Sequence, residues 1–223
     1  MNLQILHEDE SLIVCYKPAG VATQTAKLGQ QDMVSLLKNY LHGGYVAVVH
    51  RLDQPVEGVL VFAKTPYAAK ELSKGMQDKQ FGKFYKAVLW GMPKKNQATL
   101  EDYLVKDGRT NTSRVVNVQE KEAKKAVLSY EVIKTGEDDG KEISLVKVRL
   151  ETGRHHQIRV QMANMGCPIW GDSKYNTFPI QDRRFRQIAL CAYRLEFTHP
   201  KTKEKMEFEI EPKGEGFHLL RES

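Results

Sequence analysis

Two apolar runs, residues 45–49 and 59–63, enclose a short polar segment and place the strongest constraint on the fold of this chain. Both runs are rich in Val, Leu and aromatic residues, which is typical of β-strands. The segment between them contains Pro55, so we predict a turn that a sheet holds at both ends. Asp53 lies in this turn, and loops on rigid scaffolds often carry catalytic groups. An Asp in such a turn also commonly hydrogen-bonds its own backbone, so its position alone leaves a structural role open.

The order of the predicted elements is rich in strands and has few helical crossovers. We predict strands over residues 4–6, 12–16, 45–49, 59–63, 84–90, 127–134, 143–150, 188–197 and 205–210. A loop over residues 136–140 joins two of these strands as a hairpin. This order favours an α+β fold with a mostly antiparallel sheet.

Two helices are predicted in the first third of the chain. One begins at Asp32 or Met33 and ends near Leu41. The other has its start signal in Thr65-Pro66, because threonine is a good N-cap and proline fits the first helical position. Its narrow apolar stripe ends near Gly82.

The composition is that of a globular protein. At 223 residues and 41% hydrophobic content the chain can bury a sizeable core, and we expect one domain over residues 1–223. No run of 18 apolar residues and no N-terminal signal pattern is present, so we expect a soluble, cytoplasmic protein without membrane contact. Cys15, Cys167 and Cys191 are widely spaced and contain no Cys-x-x-Cys pair, which argues against disulfides and against a zinc site.

The charge balance suits a polyanionic partner. The formal net charge is +6 and the pI is near 9.1, and neutralisation of phosphates by Lys and Arg supplies most sequence-independent affinity for nucleic acid. Two basic clusters, at residues 121–125 and 183–186, strengthen this bias. Solvated surface is the alternative interpretation of both clusters.

Three motifs that are separated widely along the chain identify a family. They are His-Arg-Leu-Asp at residues 50–53, Lys-Phe-Tyr-Lys-Ala at 83–87 and Thr-Gly-Arg-His-His-Gln-Ile-Arg at 152–159. In this order and spacing they resemble the RluA family of pseudouridine synthases, in the short form without an S4 domain. Residues 12–21 are similar to the first strand and turn of that family, and His199-Pro200 fits its end, so the resemblance covers essentially the whole chain.

The resemblance implies a fold and an activity. The fold is a single catalytic domain with a long, bent, mostly antiparallel mixed sheet, flanked by helices and loops, with a cleft at its middle. The activity is the isomerisation of uridines in ribosomal or transfer RNA to pseudouridine. Because no oxidation or hydrolysis occurs, we expect no cofactor and no metal. We also expect RNA as the partner and a monomeric protein.

The resemblance also assigns three catalytic residues. Asp53 is the carboxylate that attacks the sugar, adds to the pyrimidine or removes a sugar proton, and the sequence does not separate these steps. Arg159 is the guanidinium that keeps a desolvated carboxylate ionised. Tyr85 stacks on the base and accepts its C5 proton, directly or through water. The alternative is a strand tyrosine packed in the core, and the pattern of residues 84–88 leaves the direction of its side chain open. Arg159 falls in a predicted helix over residues 157–165, whose apolar face is formed by Ile158, Met162 and Met165.

Further residues are implied in binding the flipped substrate. Extrusion of a base costs a few kcal/mol, and Arg51 resembles the arginine that fills the resulting gap. His50 braces the turn, Arg154 contacts phosphate, and Leu190 lines a dry pocket. The motif at residues 152–159 adds the last two of the substrate-binding set, His156 and Gln157.

The chain departs from the family pattern at three places. Val56-Glu57 replaces a Thr-Ser pair, His155 replaces a threonine at the expected helix N-cap, and Cys191 replaces a common histidine. Because Asp53 and its two catalytic partners are retained, we interpret these changes as an altered substrate or subfamily rather than as loss of the reaction.

Two other functions remain open at the level of sequence. A glycoside-cleaving enzyme would use Asp53 and Glu57 as paired carboxylates and release free base or sugar. A non-catalytic RNA-binding module would use the basic surface alone.

Overall fold

Strands provide most of the regular structure in this computed structural model, which describes residues 3–25, 29–78, 80–176 and 187–220. The strands are β1 (Gln4–Glu8), β2 (Leu12–Lys17), β3 (Ala47–Val48), β4 (Glu57–Ala63), β5 (Gly82–Trp90), β6 (Gln97–Asp107), β7 (Thr112–Val116), β8 (Lys124–Asp138), β9 (Lys141–Leu150), β10 (Leu190–Thr198) and β11 (Lys205–Glu209). The helices are α1 (Met33–Tyr40), α2 (Pro66–Gln77), α3 (Gln157–Asn164) and α4 (Glu215–His218). The basic cluster at residues 183–186 lies outside the described residues.

The chain divides into two compact units. The first contains Met1–Lys83 and Ala192–Pro212, and the second contains Phe84–Cys191 and Lys213–Ser223. The prediction of one domain over residues 1–223 stays a prediction.

Strand β2 organises the first unit. It pairs antiparallel with β1 and with β4, and β3 adds antiparallel to β4. Every residue of β4 is buried, because α2 packs Ala68 and Leu72 into the same apolar cluster as this strand. In the same unit, β10 pairs antiparallel with β11 from Arg194 to Thr198.

The start signals of the first two helices are confirmed. Asp32 caps α1 through a capping box with Ser35, and Thr65 caps α2 with Pro66 in the first turn. The predicted end of α2 near Gly82 is wrong. The helix ends at Gln77, so that Phe81 is free to stack on Phe197 at 5.4 Å between ring centroids.

The hairpin in the second unit is tighter than predicted. The structure continues β8 to Asp138 and begins β9 at Lys141, so the connection is Asp139-Gly140 rather than a loop over residues 136–140. Both turn residues have positive φ, 53° and 71°, which suits a two-residue hairpin turn. Gly136 lies inside β8 and pairs with Ile143. Strands β6 and β7, β6 and β8, and β8 and β9 all pair antiparallel.

Helix α3 begins at Gln157 as predicted, but it differs from the prediction in its N-cap and in its burial. Its N-cap is His156, in the left-handed conformation with φ 54°, and not His155. Residues 157–162 are all buried, so the helix has no separate polar face, and Met165 lies just beyond its end. The prediction of one apolar face fails because polar side chains of this helix are also enclosed by protein.

The α+β class with a mostly antiparallel sheet is confirmed. The predicted strand over residues 45–49 is shorter than expected, since only Ala47–Val48 pairs with β4. Beyond Val48 the backbone forms hydrogen bonds with the segment that follows β2 instead. None of the helices in the described residues is both long and apolar enough to cross a membrane.

Asp9 connects three parts of the first unit. Its Oδ1 accepts from the backbone N–H of Ser11 at 2.6 Å and of Leu12 at 3.0 Å, which fixes the turn between β1 and β2. Its Oδ2 lies 3.0 Å from Nε2 of His7 and 3.0 Å from Nε2 of His199. Burial by itself would raise the pKa of Asp9, but the hydrogen bonds from His7 and from the two backbone N–H groups lower it to about 2.

We predict that Asp9→Asn lowers the free energy of unfolding at pH 7 by about 1 kcal/mol, because the charge-assisted hydrogen bonds are weakened. A carboxylate with a lowered pKa stabilises the fold above its unfolded pKa of 3.8, and this contribution disappears as the pH falls toward 2. Urea unfolding at pH 7 and pH 3 should therefore show a gap that narrows in acid, because pH 3 lies between the folded and unfolded pKa values of Asp9. The neighbouring Glu10→Gln, at an exposed pair with Lys201, is the control with no such gap. An Asp9 gap that is as large at pH 3 as at pH 7 contradicts the prediction.

Candidate active site

Asp53 lies in a tight turn between β3 and β4 in the first unit. The N–H of Val56 donates to the carbonyl oxygen of Asp53 at 3.0 Å and closes the turn. On the N-terminal side, Leu52 N donates to Thr23 Oγ1 at 3.1 Å, and the same hydroxyl donates to Leu52 O at 3.0 Å. Both residues are buried. A residue that is 29 positions away in sequence therefore fixes the backbone immediately before Asp53.

The backbone immediately after Asp53 is fixed in a similar way. Gly20 N donates to the carbonyl oxygen of Gln54 at 2.8 Å, and Gln54 Nε2 donates to the carbonyl oxygen of Gly20 at 2.9 Å. The Lys17 ammonium donates to the same Gln54 oxygen at 3.1 Å. The candidate catalytic carboxylate is thus bracketed by two anchored residues.

Lys17 is the most unusual of these anchors, because its side chain is fully buried at 0% exposure. Besides Gln54, its Nζ donates to the carbonyl oxygens of Pro18 at 2.9 Å and Val21 at 2.7 Å. Three carbonyl acceptors match the three N–H bonds of an ammonium. Burial lowers the pKa of Lys17 to about 7, and the negative charges of Asp53 and Glu57 act against that decrease.

A second carboxylate, Glu57, is buried at the start of β4 with 1% exposure. It accepts a hydrogen bond from the Tyr16 hydroxyl at 2.5 Å. The next residue, Gly58, has φ +148°, and a Cβ there would lie 2.5 Å from the Cβ of Ala192. Only glycine fits at this position, so the direction of the adjacent Glu57 is tightly constrained.

His50 and Arg51 precede Asp53 on the same turn. The N–H of Val61 in β4 lies 3.4 Å from Nε2 of His50, and the ring makes an edge contact with Phe81. Burial, followed by the charge of Lys83, lowers the pKa of His50 to about 3, so the ring is neutral near pH 7. The bracing role of His50 stays a prediction. Arg51 is exposed.

Tyr85 and Leu190 are buried residues of the second unit. Tyr85 lies in β5 on the same side as Ala87, whereas Phe84 and Lys86 are partly exposed on the other side. The sequence pattern left the direction of Tyr85 open, and the structure turns it inward. Leu190 is the first residue of β10 and is 3% exposed.

Arg159 of α3 forms a buried, bidentate ion pair with Asp172. Its Nε donates to Oδ2 at 2.8 Å and its Nη2 to Oδ1 at 2.7 Å, and the two side chains are 4% and 0% exposed. The Asp172 carboxylate also accepts from the backbone N–H of Lys174 at 2.9 Å. The guanidinium lies 5.2 Å from the ring centroid of Tyr175. Arg159 is therefore held in one orientation.

The two histidines before α3 are locked by neighbours from the same unit. Their rings stack at 3.8 Å between centroids. His155 contacts Ser113 Oγ through Nδ1 at 2.8 Å, and Nδ1 of His156 lies 2.7 Å from the hydroxyl of Tyr175. Burial and the charge of Arg159 lower the pKa of His156 to about 3. The predicted substrate ligand His156 is thus a neutral, mostly buried ring.

Gln157 and Arg154 differ in their surroundings. The Gln157 amide is buried and engaged with the protein: it accepts from Thr152 Oγ1 at 2.8 Å and donates to Val127 O at 3.1 Å. This bonding shapes the loop before α3. Arg154 is exposed, and its Nε donates to the carbonyl oxygen of Lys125 at 2.8 Å. Its substrate role stays a prediction, as does that of Gln157.

The structure thus brings the predicted residues together in two groups. The first unit holds Asp53 with His50 and Arg51 on one turn. The second unit holds a cluster around the start of α3, formed by Arg154, His156, Gln157 and Arg159. The described residues contain no group of three or more His, Cys, Asp or Glu residues that could hold a metal ion.

Sequence reasoning missed two charged residues that hold these groups. Lys17 belongs to a Lys-Pro pair that ends a strand, and Asp172 belongs to a Gly-Asp pair that follows α3. Both motifs were visible in the sequence. Their roles depend on partners that lie far apart in the chain, which a local pattern does not indicate.

The sequence of this chain is similar to those of RNA pseudouridine synthases. Residues 11–164 match the profile of the RNA pseudouridylate synthase family. An uncharacterized RNA pseudouridine synthase of Aquifex aeolicus is 33% identical over 94% of this chain and 69% of its own length. Ribosomal large subunit pseudouridine synthase C of Rickettsia prowazekii is 34% identical over 77% of this chain. The match spans 55% of that relative, so the chain corresponds to only part of it.

Solved structures show the same fold. Human RNA Pseudouridylate Synthase Domain Containing 1 has a TM-score of 0.81 and 24% identity, over 95% of this chain and 84% of its own. Human RNA Pseudouridylate Synthase Domain Containing 4 has a TM-score of 0.78 and 23% identity, over 97% and 91%. At these identities the likeness concerns the fold alone.

We predict that Asp172→Asn lowers the free energy of unfolding by about 3 kcal/mol, because it leaves the buried Arg159 guanidinium without its charged partner. Urea unfolding followed by circular dichroism measures the loss. The control is Glu71→Gln, which removes a more exposed pair with Lys203 and should cost much less, because solvent screens that pair. Equal losses for the two variants would contradict the assignment of Asp172 as the main support of Arg159.

Proposed function

Because the chain belongs to the RNA pseudouridylate synthase family, we propose that it isomerises specific uridines in ribosomal or transfer RNA to pseudouridine. The resemblance to the RluA family that the sequence motifs indicated is confirmed, and so is the pseudouridine synthase fold. In our proposal Asp53 is the nucleophile, and the target uridine is flipped out of the RNA before it reacts. The predictions of a cytoplasmic location and of a monomer are retained.

The reaction needs groups that act on a captive base. The bond from N1 to C1′ breaks, the uracil turns, and C5 joins C1′; the C5 proton is lost to a base, and N1 takes up a proton from solvent. Asp53 supplies the carboxylate for the first stage, and Tyr85 accepts the proton directly or through water. Arg159 supplies a fixed positive charge that favours the ionised acid. Such a reaction needs binding, orientation and protection from water.

The observation that carries the proposal is the anchoring of the Asp53 turn. Leu52 and Gln54 are both held by hydrogen bonds to residues 17–23, so the carboxylate between them has a restricted range of positions. A nucleophile that must meet one carbon of a flipped nucleotide benefits from this restriction. An aspartate that served only its own turn would not need two neighbours tied to a distant segment.

Arg51 and Arg154 are proposed to contact the RNA. Both side chains are exposed. We propose that Arg51 fills the space of the extruded base and that Arg154 binds a backbone phosphate, together with the exposed Lys125 next to it in space. The positive net charge of the chain favours this partner.

The paired-carboxylate alternative loses support from the surroundings of Glu57. A glycosidase needs two carboxylates that face the substrate and a water molecule. Glu57 is 1% exposed and accepts the Tyr16 hydroxyl, so its environment is that of a structural carboxylate. The geometry therefore favours isomerisation over cleavage.

We predict that Asp53→Asn abolishes pseudouridine formation, with a loss of at least about 10³-fold, because the amide is not a nucleophile. The measurement is pseudouridine mapping of total RNA from cells that contain the wild-type gene, the variant gene or no gene. The control is Asp78→Asn, at an exposed aspartate after α2.

The result also separates the alternatives. A site that is lost without the gene and restored by wild type and by Asp78→Asn, but not by Asp53→Asn, names the substrate and supports the proposal. Full activity of Asp53→Asn, or RNA binding with no modified site, would favour the non-catalytic RNA-binding module. Free uracil in the products would favour cleavage.

We predict that Tyr85→Phe lowers the rate of pseudouridine formation by about 10²-fold or more, because a general base is lost while the aromatic ring is kept. Tritium release from RNA labelled at C5 of uridine measures the step directly. RNA affinity should change by less than about 3-fold, since the ring still stacks on the base. The control is Tyr130→Phe, another buried strand tyrosine, whose hydroxyl donates to Lys95 O at 3.1 Å. Unchanged tritium release in Tyr85→Phe would remove the phenol from the mechanism.

A further inference from the structure

Two buried charged groups next to the Asp53 turn have no part in the proposed chemistry. Lys17 ends β2 and Glu57 begins β4, and these strands pair so that Lys17 faces Gly58 across the ladder. Buried charges are rare unless they are paired, because each loses its hydration on folding. Their presence beside a candidate nucleophile calls for a functional explanation.

Lys17 acts on the turn through geometry and through charge. Its ammonium donates to the carbonyl oxygen of Gln54, which is the residue after Asp53, and to two carbonyl oxygens of the segment that follows β2. It therefore joins that segment to the turn. The charges of both Asp53 and Glu57 act on this one cation.

Among Lys17, Asp53 and Glu57, the residue that departs from the family motif is Glu57. The family motif has a hydroxyl residue at this position, and this chain places a carboxylate there. Its negative charge is enclosed, with the Tyr16 hydroxyl as a donor at 2.5 Å and Lys17 as the neighbouring cation. The single positive charge of Lys17 is consequently shared by two carboxylates.

We propose that Lys17 and Glu57 are positioning residues for Asp53, and that they set with opposite sign how readily Asp53 gives up its proton. Lys17 holds the turn and favours the ionised carboxylate of Asp53. Glu57 repels that ionised form and draws on the same cation. The role of Asp53 in RNA chemistry rests on the proposed function. The effect of Lys17 and Glu57 on the ionisation of Asp53, which we call the charge relation, does not.

Other ionisable groups in the first unit also face this turn. They are Tyr16 from β2, Lys83 from β5, and His50 and Arg51 from the turn itself. Burial lowers the pKa of His50 to about 3, so its ring takes up a proton in the same acid range. Because His50 is present in the wild type and in both variants, a difference between their titrations reports the substituted residue. Lys17 is protonated throughout the range in which an aspartate titrates, so removal of Glu57 changes one charge only.

The test is a direct titration of Asp53 in the full chain without RNA. The ¹³C-labelled carboxyl carbon of Asp53 is followed by NMR against pH and is assigned by its loss in Asp53→Asn. We expect Glu57→Gln to lower the pKa of Asp53, and Lys17→Met to raise it, each on the order of 0.5 to 1 pH unit. The glutamine keeps an oxygen for the Tyr16 hydroxyl, so the first shift reports the charge.

Glu8→Gln is the matched control, because Glu8 also pairs with a lysine, Lys64, in the same unit at 2.5 Å. It should leave the Asp53 titration unchanged. Shifts of the same sign in Glu57→Gln and Lys17→Met, or no shift in Glu57→Gln, would overturn the proposal. If Lys17→Met does not fold, Glu57→Gln alone decides.

Activity measurements then separate this inference from the proposed function. If the chain modifies RNA, the acid limb of the pH profile of kcat/KM should move to lower pH in Glu57→Gln and to higher pH in Lys17→Met. The shifts should equal those of the NMR titration. If wild-type protein modifies no RNA while the two titration shifts are seen, the proposed function fails and the charge relation stands. Rate changes without movement of the acid limb would show a merely structural role and overturn the inference.

Discussion

A fully buried ammonium group lies against the carbonyl oxygen of the residue that follows Asp53. Without Lys17, three carbonyl oxygens around the Asp53 turn would lose a donor, and each unsatisfied buried acceptor is costly. Burial of the Lys17 ammonium costs free energy of hydration, and its hydrogen bonds offset this cost only when all three acceptors are in place. The candidate active site therefore depends on this one buried cation. The position of the turn therefore depends on several hydrogen bonds of the first unit that form together.

The same logic recurs in the second unit with a different cation. Arg159 is enclosed in a helix whose residues 157–162 are all buried, and Asp172 satisfies its planar group with two parallel hydrogen bonds. Arginine suits this site because its fork matches a carboxylate, whereas the compact ammonium of lysine suits three separate carbonyl oxygens. Each unit thus fixes candidate functional residues around one buried cation of the appropriate shape.

The sequence allowed the caps of α1 and α2 to be predicted, because each cap depends on residues that are close together in the chain. It also allowed the family and the α+β class to be predicted, because each is indicated by the order of short local patterns along the chain. The three motifs also pointed to Asp53, Tyr85 and Arg159 through the family resemblance. Features that depend on distant contacts were missed. The sequence predicted one apolar face for α3, and only the folded chain shows that polar residues of this helix are buried as well, with Gln161 donating to the distant Asp102. The partners of Lys17 and Arg159 were invisible for the same reason.

The hydrogen bond from Leu52 N to Thr23 Oγ1 has a consequence for motion. Both residues are buried, and the amide hydrogen of Leu52 is sequestered between segments separated by 29 positions. That hydrogen exchanges with solvent only when the two segments separate. The exchange rate of one backbone amide, adjacent to the candidate catalytic acid, therefore reports how often these two segments separate.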